Sequence, residues 1–380
     1  MLRIAGYLAA GIVIIHGLIH LLGVVAYFPL GEVAGLPYKT TLLDGRWDIG
    51  ESGMRYFSAF WLAAAVGLMA SAIGLALKQD WWLPMMTIIV LLSLIITILD
   101  WSNAWRGAVL DLIILIPLLL AWGLRMQPQP FAAYPEPSRM ETAVAIPPDL
   151  PDPVARYYQA ITATSLSTSM GEAVPVVETA VITGRGTLRF MGITFPARLR
   201  FTHDAGQGYR HYIEATLFGL PILKVNEHYL DGQARMQLPV GVIENEPKVD
   251  MAANLSLWGE SIWLPSIYLT DPRVRWEAID DTSARLIIPF ETDEEPFTVF
   301  FDPETGLITR LEALRYRDAA DTEKILWQLD VLTWETYQDT LLPSRSSVTW
   351  ADEGIPWLVI ELDEVVYNVD VSETIRAEGP

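Results

Sequence analysis

The sequence predicts two architectures in one chain: an all-α transmembrane four-helix bundle, followed by a mainly-β domain made of one curled antiparallel sheet over a short helix. Three observations lead there. Four apolar runs close to the ~20 residues that cross a bilayer core lie before residue 127. Beyond it, alternating hydrophobicity with turn residues between short runs repeats to the C-terminus. The charge is also divided unequally: residues 1–126 hold seven basic and seven acidic side chains, so the net charge of −20 belongs to the rest.

The apolar runs are Ile4 to Tyr27, Tyr56 to Leu77, Trp81 to Leu99 and Gly107 to Leu124. Tyr7, Tyr27, Tyr56, Trp81, Trp82, Trp101, Trp105 and Trp122 stand near their ends, where aromatic rings anchor helices at the lipid interface. The first run lacks a small-residue cleavage site and is expected to be retained as a helix. A composition that is 51% hydrophobic, with mean hydropathy +0.28, fits a multi-pass protein of the plasma membrane with membrane lipid as a partner. The acidic second part repels phosphate backbones, so nucleic acid is not an expected partner. The absence of cysteine excludes disulfides and thiolate chemistry.

Residues 127–153 contain eight prolines and read as a semi-rigid linker between the four-helix domain at 1–126 and a soluble domain at 154–380. DPVARYYQAIT reads as a short helix. From Val174 the strands follow one another. AGQG, Asp231-Gly232 and Pro303-Glu304-Thr305-Gly306 supply hairpin turns, and the total of roughly a dozen strands is more than an open sheet holds without curling. Val249 to Ile262 interrupts them as a helix, because Met251, Leu255, Trp258 and Ile262 recur at helical spacing. That helix is the available plug for the concave face.

DLPDPVARYY, NLSLWGESIWLPSIYL with VRWEAID, FFDPETGLITRLEALRY and VVYNVDV resemble, in order, an uncharacterised bacterial domain family that looks related to periplasmic lipoprotein carriers and lipoprotein-localisation factors. The resemblance spans roughly Leu150 to Ser372. It implies a half-barrel wrapped over a short helix, with an apolar concavity suited to acyl chains of a lipid or lipoprotein. It also implies work in the cell envelope, with the C-terminal domain extracytoplasmic. Positive charges near the spans do not decide the orientation, with four on each side. The N-terminal part resembles uncharacterised four-helix membrane segments that carry H-G-x-I-H-L-x-G in the first helix. Candidate lumen residues are Trp258, Glu260, Trp263 and Tyr268. The three aromatics also read as plain core, and Glu260, between two tryptophans, reads first as solvent-facing.

IIHGLIHLLG places His16, His20 and Gly23 on one stripe of the first span. Intramembrane ionisable groups face a bundle interior or a wet cavity, so a partner is expected. Counting about 1.5 Å per residue from the shared membrane face puts His20 roughly 10 Å, Asp111 roughly 8 Å and His16 roughly 16 Å deep, which pairs His20 with Asp111. Asp100 and the loop residues Asp44, Arg46, Asp48 and Glu51 lie on that side too. A hydrogen-bonded pair that fixes helix packing is the first reading; a metal site of His16, His20 and Asp111, and a proton relay or small polar ligand site, are the others. Bis-histidine haem ligation is excluded, since two residues one turn apart cannot reach opposite faces of the ring.

His203, His211 and His228 fall on strands, and their sequence neighbours Asp204 and Glu227 point to opposite faces, so adjacent pairs form no dyad. There is no G-x-S-x-G turn, no H-E-x-x-H helix and no phosphate loop. The expectation is a membrane-anchored binding or carrier protein for a lipid or acyl chain, with no cofactor and no clear enzyme signature. A membrane enzyme or ion-coupled device at the His/Asp cluster, and a scaffold of an envelope complex, are the alternatives.

Overall fold

The computed structural model describes residues 2–163, 173–291, 293–337 and 340–378. The chain forms two compact units, Met1–Arg125 and Met126–Pro380.

In the first unit, α1 (Leu2–Tyr27) leads through a small hairpin of β1 (Thr41–Leu42) and β2 (Trp47–Asp48) into α2 (Gly50–Ala76), α3 (Trp82–Leu99) and α4 (Trp101–Gly123). All four helices are long and apolar enough to cross a membrane. α2 and α4 each begin about six residues before their apolar runs, because the polar first turns GESGMR and WSNAWR are helical as well. Helices in lipid associate through close packing of small residues. A Cβ on Gly23 of α1 would sit 2.4 Å from the Trp61 ring of α2, and one on Gly67 of α2 would sit 2.5 Å from Ile89 of α3. These glycines therefore set how closely neighbouring helices approach. α1 packs along α2, α2 along α3 and α3 along α4, while α1 meets α4 through His16 and Asp111.

The second unit is a single open sheet of 13 antiparallel strands with a short helix inside its curl. A two-stranded ribbon of β3 (Ala143–Ala145) and β4 (Ala173–Pro175) and the helix α5 (Asp152–Ala163) precede it. The first meander runs β5 (Thr179–Phe190), β6 (Ile193–Asp204), β7 (Gly208–Leu217), β8 (Leu220–Leu230), β9 (Gln233–Leu238) and β10 (Gly241–Glu244). Then come α6 (Pro247–Glu260), a 3-10 turn at Ser261–Trp263 and α7 (Ile267–Thr270). The second meander is β11 (Arg275–Asp280), β12 (Ser283–Phe290), β13 (Asp293–Phe301), β14 (Ile308–Arg315), β15 (Ile325–Tyr337), β16 (Thr340–Trp350) and β17 (Pro356–Tyr367). β17 closes against β5, which leaves β10 and β11 as the two edges of a half-barrel. Leu199 and Phe201 of β6 and Tyr209 and Ile213 of β7 enter one core that also holds Trp258, Trp263, Phe297 and Trp327, while β7 is buried on both faces.

Two expectations change. α6 is buried on all sides from Met251 to Glu260, not on one apolar stripe. Its polar positions are accommodated by partners: Asn254 Nδ2 donates to the Pro289 carbonyl at 2.9 Å, and Ser256 Oγ accepts from Arg315 at 2.9 Å. Nor is the proline-rich stretch a free spacer over its length. Phe131 lies under the guanidinium groups of Arg198 and Arg200, the Tyr134 amide donates to Glu364 at 3.0 Å, and Arg139 N donates to the Tyr367 carbonyl at 3.0 Å. These contacts hold it on the half-barrel, where its backbone groups find partners that proline-rich sequence cannot supply internally.

Candidate functional site

Within the helical unit, a polar cluster is buried among α1, α3 and α4. His16, His20 and Asp111 are at most 2% exposed. His16 Nε2 lies 2.8 Å from Asp111 Oδ1. His20 does not pair directly with Asp111 as depth counting suggests; its Nε2 meets Ser93 Oγ at 2.8 Å, and Ser93 Oγ is 2.8 Å from each Asp111 oxygen. The count missed by one helical turn, about 5.4 Å, because it took both helices as upright and level. Asp100 does not join this cluster. Buried at the α3–α4 junction, it accepts from the Tyr27 hydroxyl, the Lys39 ammonium and Asn103 Nδ2.

Proton accounting constrains the chemistry. His20 Nδ1 faces the His16 carbonyl oxygen at 2.9 Å and therefore carries a proton. Ser93 Oγ, within 2.8 Å of His20 Nε2 and of both Asp111 oxygens, links the imidazole to the carboxylate in one hydrogen-bonded chain. Ser93 and Thr97, whose Oγ1 is 3.3 Å from Asp111 Oδ2, escaped notice in the sequence; their spacing of four on α3 was the available signal.

Beside this cluster, in the α1–α4 seam, lies a cavity of about 360 Å³. Ile19, Leu22 and Leu110 give it apolar walls, His16 and His20 a polar edge, and Arg106 a cationic one. Val33 to Leu36 of the loop after α1, with Trp61 of α2 and Thr97 of α3, complete its lining.

In the half-barrel the concavity is filled. Trp258 and Trp263 are 1% exposed and Tyr268 is 3% exposed. Trp263 Nε1 donates to the Pro343 carbonyl at 2.9 Å, and Tyr268 OH donates to the Trp258 carbonyl at 2.6 Å. Of the four expected lumen residues, Trp258 borders a cavity of about 700 Å³. That cavity has a mixed lining, with Asp204, Asp231, Asp370 and Arg273 beside Leu230, Leu257, Val371 and Ile375.

Glu260 does not face solvent. It is 5% exposed at the end of α6, with Oε2 2.6 Å from His211 Nε2 and 3.4 Å from His203 Nε2. The register explains the convergence: Phe201 pairs with His211 and His203 with Tyr209, so both imidazoles point inward from neighbouring strands, and His211 stands opposite Glu227 of β8. His211 Nδ1 is 3.7 Å from Glu227 Oε2, and Tyr209 OH donates to the other oxygen of Glu227. Burial would depress the His211 pKa, but the carboxylates of Glu260 and Glu227 reverse this and push it up to about 9. Burial raises Glu260, and His211 with His203 overcomes it, leaving the carboxyl at about 2. His203 is held below its ordinary value by burial. Sequence neighbours were the wrong pairs to test; inward parity along β6 and β7 was the signal.

Fold and site together define a protein with four helices long and apolar enough to cross a membrane and a filled antiparallel half-barrel. The chain belongs to a family of unknown function, DUF6544, whose model matches residues 141–362. No curated protein matches it in sequence. Among solved structures it is similar to a LolA superfamily protein from Nitrosomonas europaea, at 11% identity and TM-score 0.34, over 58% of this chain and 98% of that one. It is also similar to a DUF1329 family protein from Desulfovibrio piger, at 11% identity and TM-score 0.32, over 60% of this chain and 98% of that one.

Proposed function

We infer that the chain is a membrane-anchored lipid-binding protein of the cell envelope, and that the lipid lodges in the α1–α4 seam and not in the half-barrel lumen. The observation that carries this is the cavity of about 360 Å³ lined by residues of α1, α4 and the loop after α1. Its volume falls within the range of about 300–1,000 Å³ typical of ligand pockets. Its chemistry suits an amphiphile: Ile19, Leu22 and Leu110 against an acyl chain, and Arg106 and Asn103 for a headgroup oxygen. A chain entering between α6 and the sheet instead would have to displace Leu255 and Trp258 of α6 and Trp263 of the turn after it, which are core.

Native mass spectrometry of the intact chain, released from detergent after extraction from membranes, tests the assignment. The expected spectrum shows one lipid per chain, lost when Ala104→Phe and Leu110→Trp fill the seam and kept in Trp263→Leu. Lipid retained in the filled variant and lost in the lumen variant would overturn it.

The buried hydrogen-bonded chain of His20, Ser93 and Asp111 favours a second reading, in which it relays protons. Ser93→Ala breaks that chain and leaves the cavity walls intact, so altered proton uptake in proteoliposomes with unchanged lipid content would favour the relay.

A further inference from the structure

The buried cluster on the inner face of β6 and β7 has the donors of a metal site. His203, His211 and Glu260 each offer one ligand atom, and these atoms all lie within 4.8 Å of one another. Bond lengths of about 2.0–2.2 Å to zinc place tetrahedral donors about 3.4 Å apart. The His203 Nε2 to Glu260 Oε2 separation is already 3.4 Å. The His211 Nε2 to Glu260 Oε2 separation, 2.6 Å, is that of a hydrogen bond, so this pair opens by less than 1 Å when an ion replaces the proton between them.

His203 points to a ligand independently. It is fully buried, yet neither ring nitrogen has a hydrogen-bond partner, the contact with Glu260 falling outside hydrogen-bond geometry. A buried imidazole left unsatisfied is costly, of order 1–3 kcal/mol, and a coordinated ion removes that cost.

The surroundings also match what metal-binding histidines require. The His211 ring lies between Phe201, 4.1 Å away centre to centre, and Tyr209, stacked at 4.0 Å, so its plane is fixed. Its second nitrogen faces Glu227 at 3.7 Å, a carboxylate itself held by Tyr209, whose charge favours electron donation by the ring toward a metal. Arg315 adds positive charge toward Glu227 and Glu260, balancing the two carboxylates.

We propose that His203, His211 and Glu260 bind one divalent transition-metal ion of the zinc class. Two imidazoles and one carboxylate, with no thiolate, suit Zn²⁺ over the hard cations Mg²⁺ and Ca²⁺, which take oxygen ligands. Three protein ligands leave a coordination position for water or an exogenous donor. The site is independent of the lipid cavity, and its residues belong to another unit of the chain.

The test uses the full chain in detergent, stripped with EDTA, loaded with Zn²⁺, dialysed and analysed for metal. The expected result is one zinc per chain, reduced to background in His203→Phe and Glu260→Gln and retained in His16→Ala. Wild type without stoichiometric zinc, or zinc unchanged in both cluster variants, overturns the proposal. Hydrogen exchange of the wild type needs no variant: added Zn²⁺ should slow exchange in β6, β7 and the end of α6. Zinc-dependent protection confined to other segments overturns it equally.

Discussion

Replacing Glu260 with Gln removes the charge facing His211 and leaves nearly the same volume. In the metal-free protein the size of the effect follows from the pKa displacement. His211 rises from 6.5 to about 9, and at 1.36 kcal/mol per unit the interaction that raises it is worth about 3 kcal/mol. Glu260 falls from 4.5 to about 2, which describes the same interaction from the other partner and is not added to it. A raised histidine stabilises the fold fully below its unfolded value near 6.5 and loses that contribution as pH climbs through about 9. A depressed carboxyl stabilises above about 4.5 and loses its contribution as pH falls through about 2. The pair is therefore at full strength between about pH 4.5 and 6.5. Other groups face it: Glu227 retains part of the attraction on His211 in the variant, Arg315 and Tyr209 are common to both proteins, and His203, kept neutral by burial, lowers stability below its ordinary value in both. The difference expected at pH 6 is thus about 2–3 kcal/mol. Hydrogen exchange of the β6 and β7 amides in EDTA, corrected for intrinsic rates, reads this locally. Protection in the wild type should exceed that in Glu260→Gln by roughly 30- to 160-fold at pH 6 and converge toward it by pH 10. Equal protection at pH 6, or a difference that does not change between pH 6 and pH 10, would refute the ion-pair reasoning.

Three further outcomes are expected. Asp111→Ala strips His16 and Ser93 of their shared acceptor, and the loss should be about 1–2 kcal/mol by the scale of interhelical hydrogen bonds, read as earlier unfolding of the helices in a detergent titration. Gly23→Leu drives a side chain into the Trp61 ring, so α1 and α2 should separate; cysteines introduced at facing positions should cross-link less efficiently than in the parent. Protease added to intact spheroplasts should remove residues 150–380 if the half-barrel is extracytoplasmic, and survival of that fragment would reverse the proposed orientation.

Much of the fold was legible because its signals are local. Apolar runs of membrane length and strands separated by turn residues report themselves within windows of about 20 residues. The sheet's order follows from hairpin succession, with the closing β5–β17 pair the one long-range contact that no local pattern announces. Site residues were harder to read because tertiary register decides them. His16 and His20 were visible as polar residues in lipid, but their partners depended on a helix offset of one turn, which placed Ser93 between His20 and Asp111. Glu260 looked solvent-facing because its neighbours are tryptophans, while its actual environment is set by two strands some fifty residues earlier. His203 and His211 share the inward parity of Leu199 and Phe201, so counting parity across the AGQG hairpin would have exposed a polar pair on an apolar face.

The most direct test of lipid binding in the seam is photo-cross-linking in native membranes with a phospholipid that carries a diazirine on its acyl chain, followed by peptide mapping of the full chain. The expected label falls on Ile19, Leu22 and Leu110, is competed by unlabelled lipid, and disappears in the Ala104→Phe, Leu110→Trp variant. Label concentrated on residues 247–270 within the half-barrel, or spread over all four helices without competition, would contradict it.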